Sequence, residues 1–421
     1  MKNVLKRTAA LLMAGIMAAM TACGSGDSEK KEEKSKWDEL DQAQITEAMG
    51  LGWNLGNQME AVNAGTPSET AWGNPEITKE LIDKIKEQGF KTVRIPVTYL
   101  SKIGDGPDYT IDEEWLDRVQ EVVDYVVDND MFAVVNMHGD GYYTIDGSWL
   151  LCVEDEEKQK EIKDKYEKVW TQIADRFKDY DEHLIFESMN EEFNNDYGKP
   201  DPYGYENINA YNQIFVDAVR KTGSNNEKRW LLIPGWNTNV EYTAGDYGFE
   251  IPKDEGCKAD GKRIMISVHY YDPYNFTLDE NDKSAKTQWG KYAVANRDNW
   301  GQEDYVDEQM SLLNEKFVSQ GYPVIIGEFG VQDKTSLFPD FGEFRRYWTE
   351  YIITAAKKNG VICIYWDNGY NGNKGFGIID RITMEITQPE LVKAMITAVN
   401  SDDSYVIPAP KGYEEGDKAA A

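Results

Sequence analysis

Eight short apolar runs recur along the chain, rich in β-branched and aromatic residues and bounded by turn residues. They are MGLGWNL (49–55), KTVRIP (91–96), FAVVNM (132–137), LIFESM (184–189), WLLIPG (230–235), IMISVHY (264–270), PVIIGEF (323–329) and VICIYW (361–366). Between most of them the apolar residues return at helical spacing instead. TKELIDKIKEQG (78–89) puts Leu81, Ile82 and Ile85 on one face and stops at Gly89. DEEWLDRVQEVVDYVVDND (112–130) reads the same way from an aspartate cap. The stretches 156–179 and 344–360 repeat the pattern. Strand–helix alternation carried through eight strands predicts an α/β protein, a parallel (β/α)8 TIM barrel forming one domain over 37–403. An open doubly wound sheet would carry a glycine-rich phosphate loop after its first strand. Here that strand ends in GWNLGN, without GxGxxG.

The two ends read differently. Lys2, Lys6 and Arg7 precede an apolar stretch from Ala9 to Met20, and Thr21, Ala22 and Cys23 follow. Basic start, short apolar region and small residues predict a secretory signal over 1–22. The apolar run is far short of the roughly 20 residues of a membrane span. Its end resembles a lipoprotein signal, which implies a lipid on Cys23 and an extracellular protein held at the bacterial membrane; Met20 departs from that pattern, and cleavage without lipidation is the alternative. Residues 23–36 are small and then densely charged, the composition of a flexible tether. Residues 404–421 read as a C-terminal extension.

Composition narrows the function classes. A net charge of −30 excludes the basic footprint of a nucleic-acid binder. Cys152, Cys257 and Cys363 show no CxxC pair, so neither a disulfide framework nor a zinc site is indicated, and Cys152 and Cys257 are left free to pair or not. No metal or organic cofactor is expected, and the chain is expected to be a monomer.

The chemistry gathers where a barrel of this type keeps its active site, at the C-terminal ends of the strands. Arg94 lies in the second strand. Asn136 and His138 close the third, and Asn190, Glu191 and Glu192 follow the fourth. His269, Tyr270 and Tyr271 end the sixth, Glu328 the seventh, and Trp366, Asp367 and Asn368 the eighth. The chain has three histidines. Two sit at this rim, while His183 opens the fourth strand at the opposite end and reads as structural. Two carboxylates across a polar cleft, one neutral and one ionised, are the machinery of glycoside cleavage. Glu191 and Glu328 are that pair. Glu187 falls inside the fourth strand, in a structural or supporting position, and Glu192 should aim away from the cleft.

On VRIPVTY (93–99), NMHGD (136–140), FESMNE (186–191), VHYYDP (268–273), IGEFG (326–330) and YWDNG (365–369), the chain resembles glycoside hydrolase family 5, in order and across nearly the whole domain. GLGWNLGN (50–57) and ETAWGNP (69–75) resemble its subfamily 4, the branch of bacterial endoglucanases and xyloglucanases. The resemblance implies Glu191 as general acid/base and Glu328 as nucleophile of a retaining endo-β-1,4-glucanase acting on a β-glucan. It implies that Arg94 and Tyr271 keep Glu328 ionised, that His269 tunes Glu191, that Asn190 binds the sugar 2-hydroxyl, that His138 borders the site, and that Trp366 stacks under the sugar. Two positions depart from the family pattern: Glu192, where proline is common, and Gly139, where a second histidine is common.

Flat aromatic rings suit the apolar faces of sugars. Trp53, Asn57, Tyr142 and Trp236 are the further expected substrate contacts, with Trp72, Tyr143, Trp149, Tyr270 and Tyr274 also in or near rim loops. Xyloglucanase, mixed-linkage glucanase and β-mannanase would share the catalytic residues. A metal-dependent barrel hydrolase would need ligands on the first strand, which has none. A non-catalytic glycan-binding lipoprotein would not need both carboxylates.

Overall fold

The computed structural model describes residues 40–196 and 198–415. The expected signal, Cys23 and the charged segment 23–36 lie outside them. Eight parallel strands close into a barrel: β1 (Leu51–Asn54), β2 (Thr92–Ile95), β3 (Phe132–Asn136), β4 (Leu184–Glu187), β5 (Leu231–Pro234), β6 (Ile264–Tyr270), β7 (Val324–Phe329) and β8 (Val361–Tyr365). Closure comes from β1, which pairs with both β2 and β8. Each run expected from the sequence contains one of these strands, so the eightfold reading holds.

The strands are buried on both faces, which is why they read as continuous apolar runs rather than as alternation. Inward, Phe132, Val134, Ile185, Leu232, Met265, Ile325, Ile362 and Ile364 form one cluster. Ile45 and Met49 of the helix Gln42–Met49 join it and stopper the N-terminal mouth. Outward, Leu184, Phe186, Leu231 and Ile233 pack under the surrounding helices. Lys79–Glu87, Glu113–Val127, Glu156–Phe177 and Phe341–Lys358 stand where expected, and Asp112 caps the second of these. Further helices at Pro202–Lys221, Glu303–Lys316 and Pro389–Asn400 complete the ring, while β5 is followed by only the short Val240–Ala244.

One irregularity positions the site. Against β6, Ile326 is opposite Val268 but Glu328 is opposite His269; against β8, Ile326 is opposite Cys363 but Phe329 is opposite Tyr365. β6 skips Gly327 and β8 sets one residue, Ile364, against Gly327 and Glu328, a β-bulge that re-aims the strand end. Asn54 Nδ2 donates to the Gly327 carbonyl at 2.8 Å.

Residues 404–415 run back over the helix Phe341–Lys358. Tyr405 donates to Glu350, Arg346 donates to the carbonyls of Pro408 and Ala409 at 3.0 and 3.1 Å, and Tyr413 packs edge-on against Phe344. Cys152, Cys257 and Cys363 are free thiols. Among the described residues no helix is long and apolar enough to cross a membrane.

Candidate active site

Inward-facing positions near the C-terminal ends of the strands are polar. Arg94 follows the inward Thr92 on β2, Asn54 the inward Gly52 on β1, and Ser267 and His269 continue the inward face of β6. Arg94 is fully buried and makes four side-chain bonds: Nε to Glu187 at 2.7 Å, Nη1 to Asn54 at 3.0 Å and to Glu328 at 2.8 Å, and Nη2 to Asn190 at 2.7 Å. Ser267 Oγ donates to the other oxygen of Glu187 at 2.7 Å. Burial works against the Arg94 charge, but Glu187 and Glu328 more than offset it and hold the guanidinium above its ordinary value.

Glu328 is 6% exposed and receives Arg94 on one oxygen and the Tyr271 hydroxyl, at 3.1 Å, on the other. Burial raises its carboxyl above the ordinary range, His269 and Arg94 lower it, and Glu191 raises it further. Two donors serve Glu328 and one serves Glu191. Burial and both glutamates keep the Tyr271 hydroxyl protonated, as a donor must be. Glu191 is more open, its side chain 28% exposed, and its Oε1 lies 2.6 Å from His269 Nδ1. The other nitrogen, His269 Nε2, is buried without a partner, and a Cβ at Gly327 would lie 3.1 Å from it.

The expected rim residues converge. One acceptor atom each from Glu191, His269 and Glu328 lie within 4.8 Å of one another. That trio has the donor types of a cation site, but Arg94 and Tyr271 already occupy the oxygens of Glu328. His138 Nδ1 is 3.2 Å from Asn136 Nδ2, and the Val97 N–H fixes that amide by donating to Asn136 Oδ1. Burial, Arg94 and His269 hold His138 well below the ordinary imidazole value, so it is neutral. The Trp366 ring is partly exposed and lies within 9° of parallel to His138, centroids 6.1 Å apart. Tyr142 accepts from Asn190 Nδ2 at 2.7 Å. Asn57 is half-buried in a left-handed conformation at φ 60, beside Gly56, on which the Trp366 ring closely packs.

Two expectations are corrected. Trp53 is fully buried, its Nε1 donating to Asp367 at 3.1 Å, and Trp236 is 1% exposed between Phe193 and Tyr205. Neither offers a face to a sugar, because Trp53 lies within β1 in the core and Trp236 is covered by Phe193 and Tyr205. Tyr270 is buried as well, whereas Trp72 and Tyr274 are 45% and 55% exposed. Gly139 has no room for a side chain, since a Cβ would lie 2.5 Å from Thr98 Oγ1. Asn54 and Gly327 were not singled out in the sequence. The signal for Asn54 is a polar residue ending an otherwise apolar strand; for Gly327 it is a glycine just before the strand-end carboxylate.

A carboxyl braced by a cation, opposite a second carboxyl braced by imidazole and open to a cleft, is equipped to break a glycosidic bond, and the molecule is a glycosidase of the barrel type. The cellulase (glycosyl hydrolase family 5) profile matches residues 56–372. Endoglucanase A of Paenibacillus barcinonensis is 52% identical over 363 residues, 85% of this chain and 90% of that protein. A family 5 xyloglucanase from Paenibacillus pabuli, solved with a ligand, is 50% identical with a TM-score of 0.83, covering 85% of this chain and 100% of the other. A GH5-4 broad specificity endoglucanase from Bacteroides salanitronis is 37% identical with a TM-score of 0.80, covering 88% and 99%. The chain belongs to glycosyl hydrolase family 5.

Proposed function

We propose that this chain is an endo-β-1,4-glucanase that cleaves internal bonds of β-glucans by double displacement with retention. The observation that carries the reading is the approach of Glu191 and Glu328 oxygens to within 4.8 Å. Retaining enzymes hold their carboxyls roughly 5–5.5 Å apart, whereas inverting enzymes need about 6.5–9.5 Å to fit a water.

In the first step Glu328 attacks the anomeric carbon, and Glu191 gives its proton to the departing glycosidic oxygen. A glycosyl ester on Glu328 results. In the second step Glu191, now ionised, takes a proton from water, the hydroxide oxygen bonds to the anomeric carbon, and the Glu328 carboxylate leaves. Arg94 and Tyr271 stabilise Glu328 as it regains its charge. His269 Nδ1–H supports the ionised Glu191 between the steps. Asn190 offers its second amide hydrogen to the sugar 2-hydroxyl, His138 donates from Nε2, and Trp366 supplies the flat platform. Beside Glu191, a cavity of about 640 Å³ lined by Asn237, His269, Tyr271, Tyr274 and Tyr305 suits the leaving-group sugars. The signal over 1–22 and Cys23 support an extracellular enzyme tethered to the bacterial membrane.

Xyloglucan is the second substrate, favoured by the 50% identity to the Paenibacillus pabuli xyloglucanase. Reducing-sugar release on carboxymethylcellulose, barley β-glucan, xyloglucan and mannan tests both. Glucan cleavage by the wild type, lowered about 10²–10⁴-fold in Glu191→Ala and lost in Glu328→Ala, is expected. Release mainly from mannan overturns the substrate, and no release from any polymer by a folded protein overturns the activity.

A further inference from the structure

Glu192 follows Glu191 but turns away from the cleft and is 4% exposed. Its carboxyl lies flat against Gly141, where a Cβ would overlap it. Gly141 ends the turn Gly139–Gly141, and Tyr142 comes next. The Tyr142 hydroxyl is on Asn190, its ring packs edge-on against His138, and Asn190 is held by Arg94. The loop is also fixed at Asp140, which accepts from the backbone N–H groups of Tyr99 and Leu100 and from Trp149 Nε1. Against Gly141 stands the Glu192 carboxyl.

We propose that Glu192 is a positioning residue: its carboxyl seats the loop 139–149 at Gly141, and through that loop holds the Tyr142 hydroxyl on Asn190. The inference rests on the glycosidase reading of the site. It does not follow from the paired carboxylates, which need neither Glu192 nor Gly141.

The seat works in its neutral form. The charges that act on Glu192 are themselves carboxylates, Asp140 and Glu191, and burial followed by these two pushes Glu192 well above the ordinary range. The other titratable groups around it are Tyr142, Tyr143 and Cys152 on the loop, with Tyr166 and Tyr211 on the flanking helices; burial raises all five, so they stay uncharged. A charge on Glu192 at high pH would be repelled by Asp140 and Glu191 and would drive the loop, with Tyr142, off Asn190.

The test uses the full chain, with kcat and KM on barley β-glucan across pH for Glu192→Gln, Glu192→Ala, Tyr142→Phe and the double variant Glu192→Ala/Tyr142→Phe. Amide hydrogen exchange of residues 139–149 is followed in parallel. Glu192→Ala is expected to lower kcat/KM about tenfold, and Glu192→Gln to restore at least about fivefold of it at neutral pH and to extend the alkaline limb beyond that of the wild type. In the Tyr142→Phe background Glu192→Ala should cost less than about twofold, because groups acting through one another are not additive. Exchange in 139–149 should quicken in the alanine variant and match the wild type in the glutamine variant. Single effects that multiply in the double variant, a glutamine variant as impaired as the alanine one, or exchange unchanged by Glu192→Ala would each overturn the proposal. A wild type inert on glucans sinks the glycosidase reading instead, and the exchange result still decides whether Glu192 seats the loop.

Discussion

At the scale of single residues, the site divides its charges by giving its two carboxyls unlike partners. As the proposed nucleophile Glu328 would have to be ionised, yet burial raises its carboxyl and His269 and Arg94 only partly undo this. On that reading the acid limb of kcat/KM should lie above the ordinary glutamate range, activity being lost as pH falls through the raised value of Glu328. Tyr271→Phe removes one donor to the charged form, so the acid limb should move to higher pH. A pH–rate profile checks the direction, and a limb that stays put or moves down would show that the hydroxyl does not support the charge. The two tryptophan groups should separate just as cleanly. Trp53→Ala empties a buried site and should cost about 3–5 kcal/mol of stability. Trp366→Ala should leave the melting temperature nearly unchanged and raise KM. Denaturant melts alongside kinetics check both, and the reverse pattern would place Trp53 in the cleft.

At the scale of elements, the strands were legible because burial on both faces makes each one an uninterrupted apolar run, and every expected run holds one. Most of the chemistry was legible for the same reason: a polar residue closing such a run stands out, as Arg94, Glu191, His269 and Glu328 do. What stayed hidden depends on how strands are offset. Nothing in IIGEFG says that the register shifts by one residue at Gly327–Glu328 on both sides, yet Glu328 meets Arg94 there and Gly327 leaves room for His269. Aromatic composition marked the rim loops but not which rings fold inward, so Trp53 and Trp236 read as surfaces when they are core. Gly327→Ala puts a methyl 3.1 Å from His269 Nε2. It should lower kcat/KM by about 10- to 100-fold through displacement of the imidazole from Glu191. Steady-state kinetics on a soluble glucan check this, and activity equal to the wild type would show that the site does not depend on the bulge.

At the scale of the whole molecule, the barrel keeps stability and chemistry at opposite ends. The interior below Arg94 is apolar and closed by the helix Gln42–Met49, while the rim carries the polar constellation. The C-terminal segment contributes to the frame, with Tyr405, Pro408, Ala409 and Tyr413 tied to one helix far along the chain. Its composition gave no sign of this, because the ties are backbone carbonyls and isolated rings rather than a periodic face. Removing residues 404–421 should lower stability by about 2–4 kcal/mol, from several hydrogen bonds and the aromatic contacts of Tyr413 with Phe338 and Phe344, with kcat unchanged. Thermal melts check this, and an unaltered melting temperature would make the segment a mere appendage.

The central claim is that Glu191 and Glu328 cleave a β-1,4-glucan with retention. Proton NMR of the anomeric signals during the first turnovers on a soluble cello-oligosaccharide tests it directly. The account predicts that the β-anomer of the new reducing end appears first and that the α-anomer grows in later by mutarotation. An α-anomer formed first would contradict the double displacement, and with it the reading of a separation within 4.8 Å as that of a nucleophile and its acid/base partner.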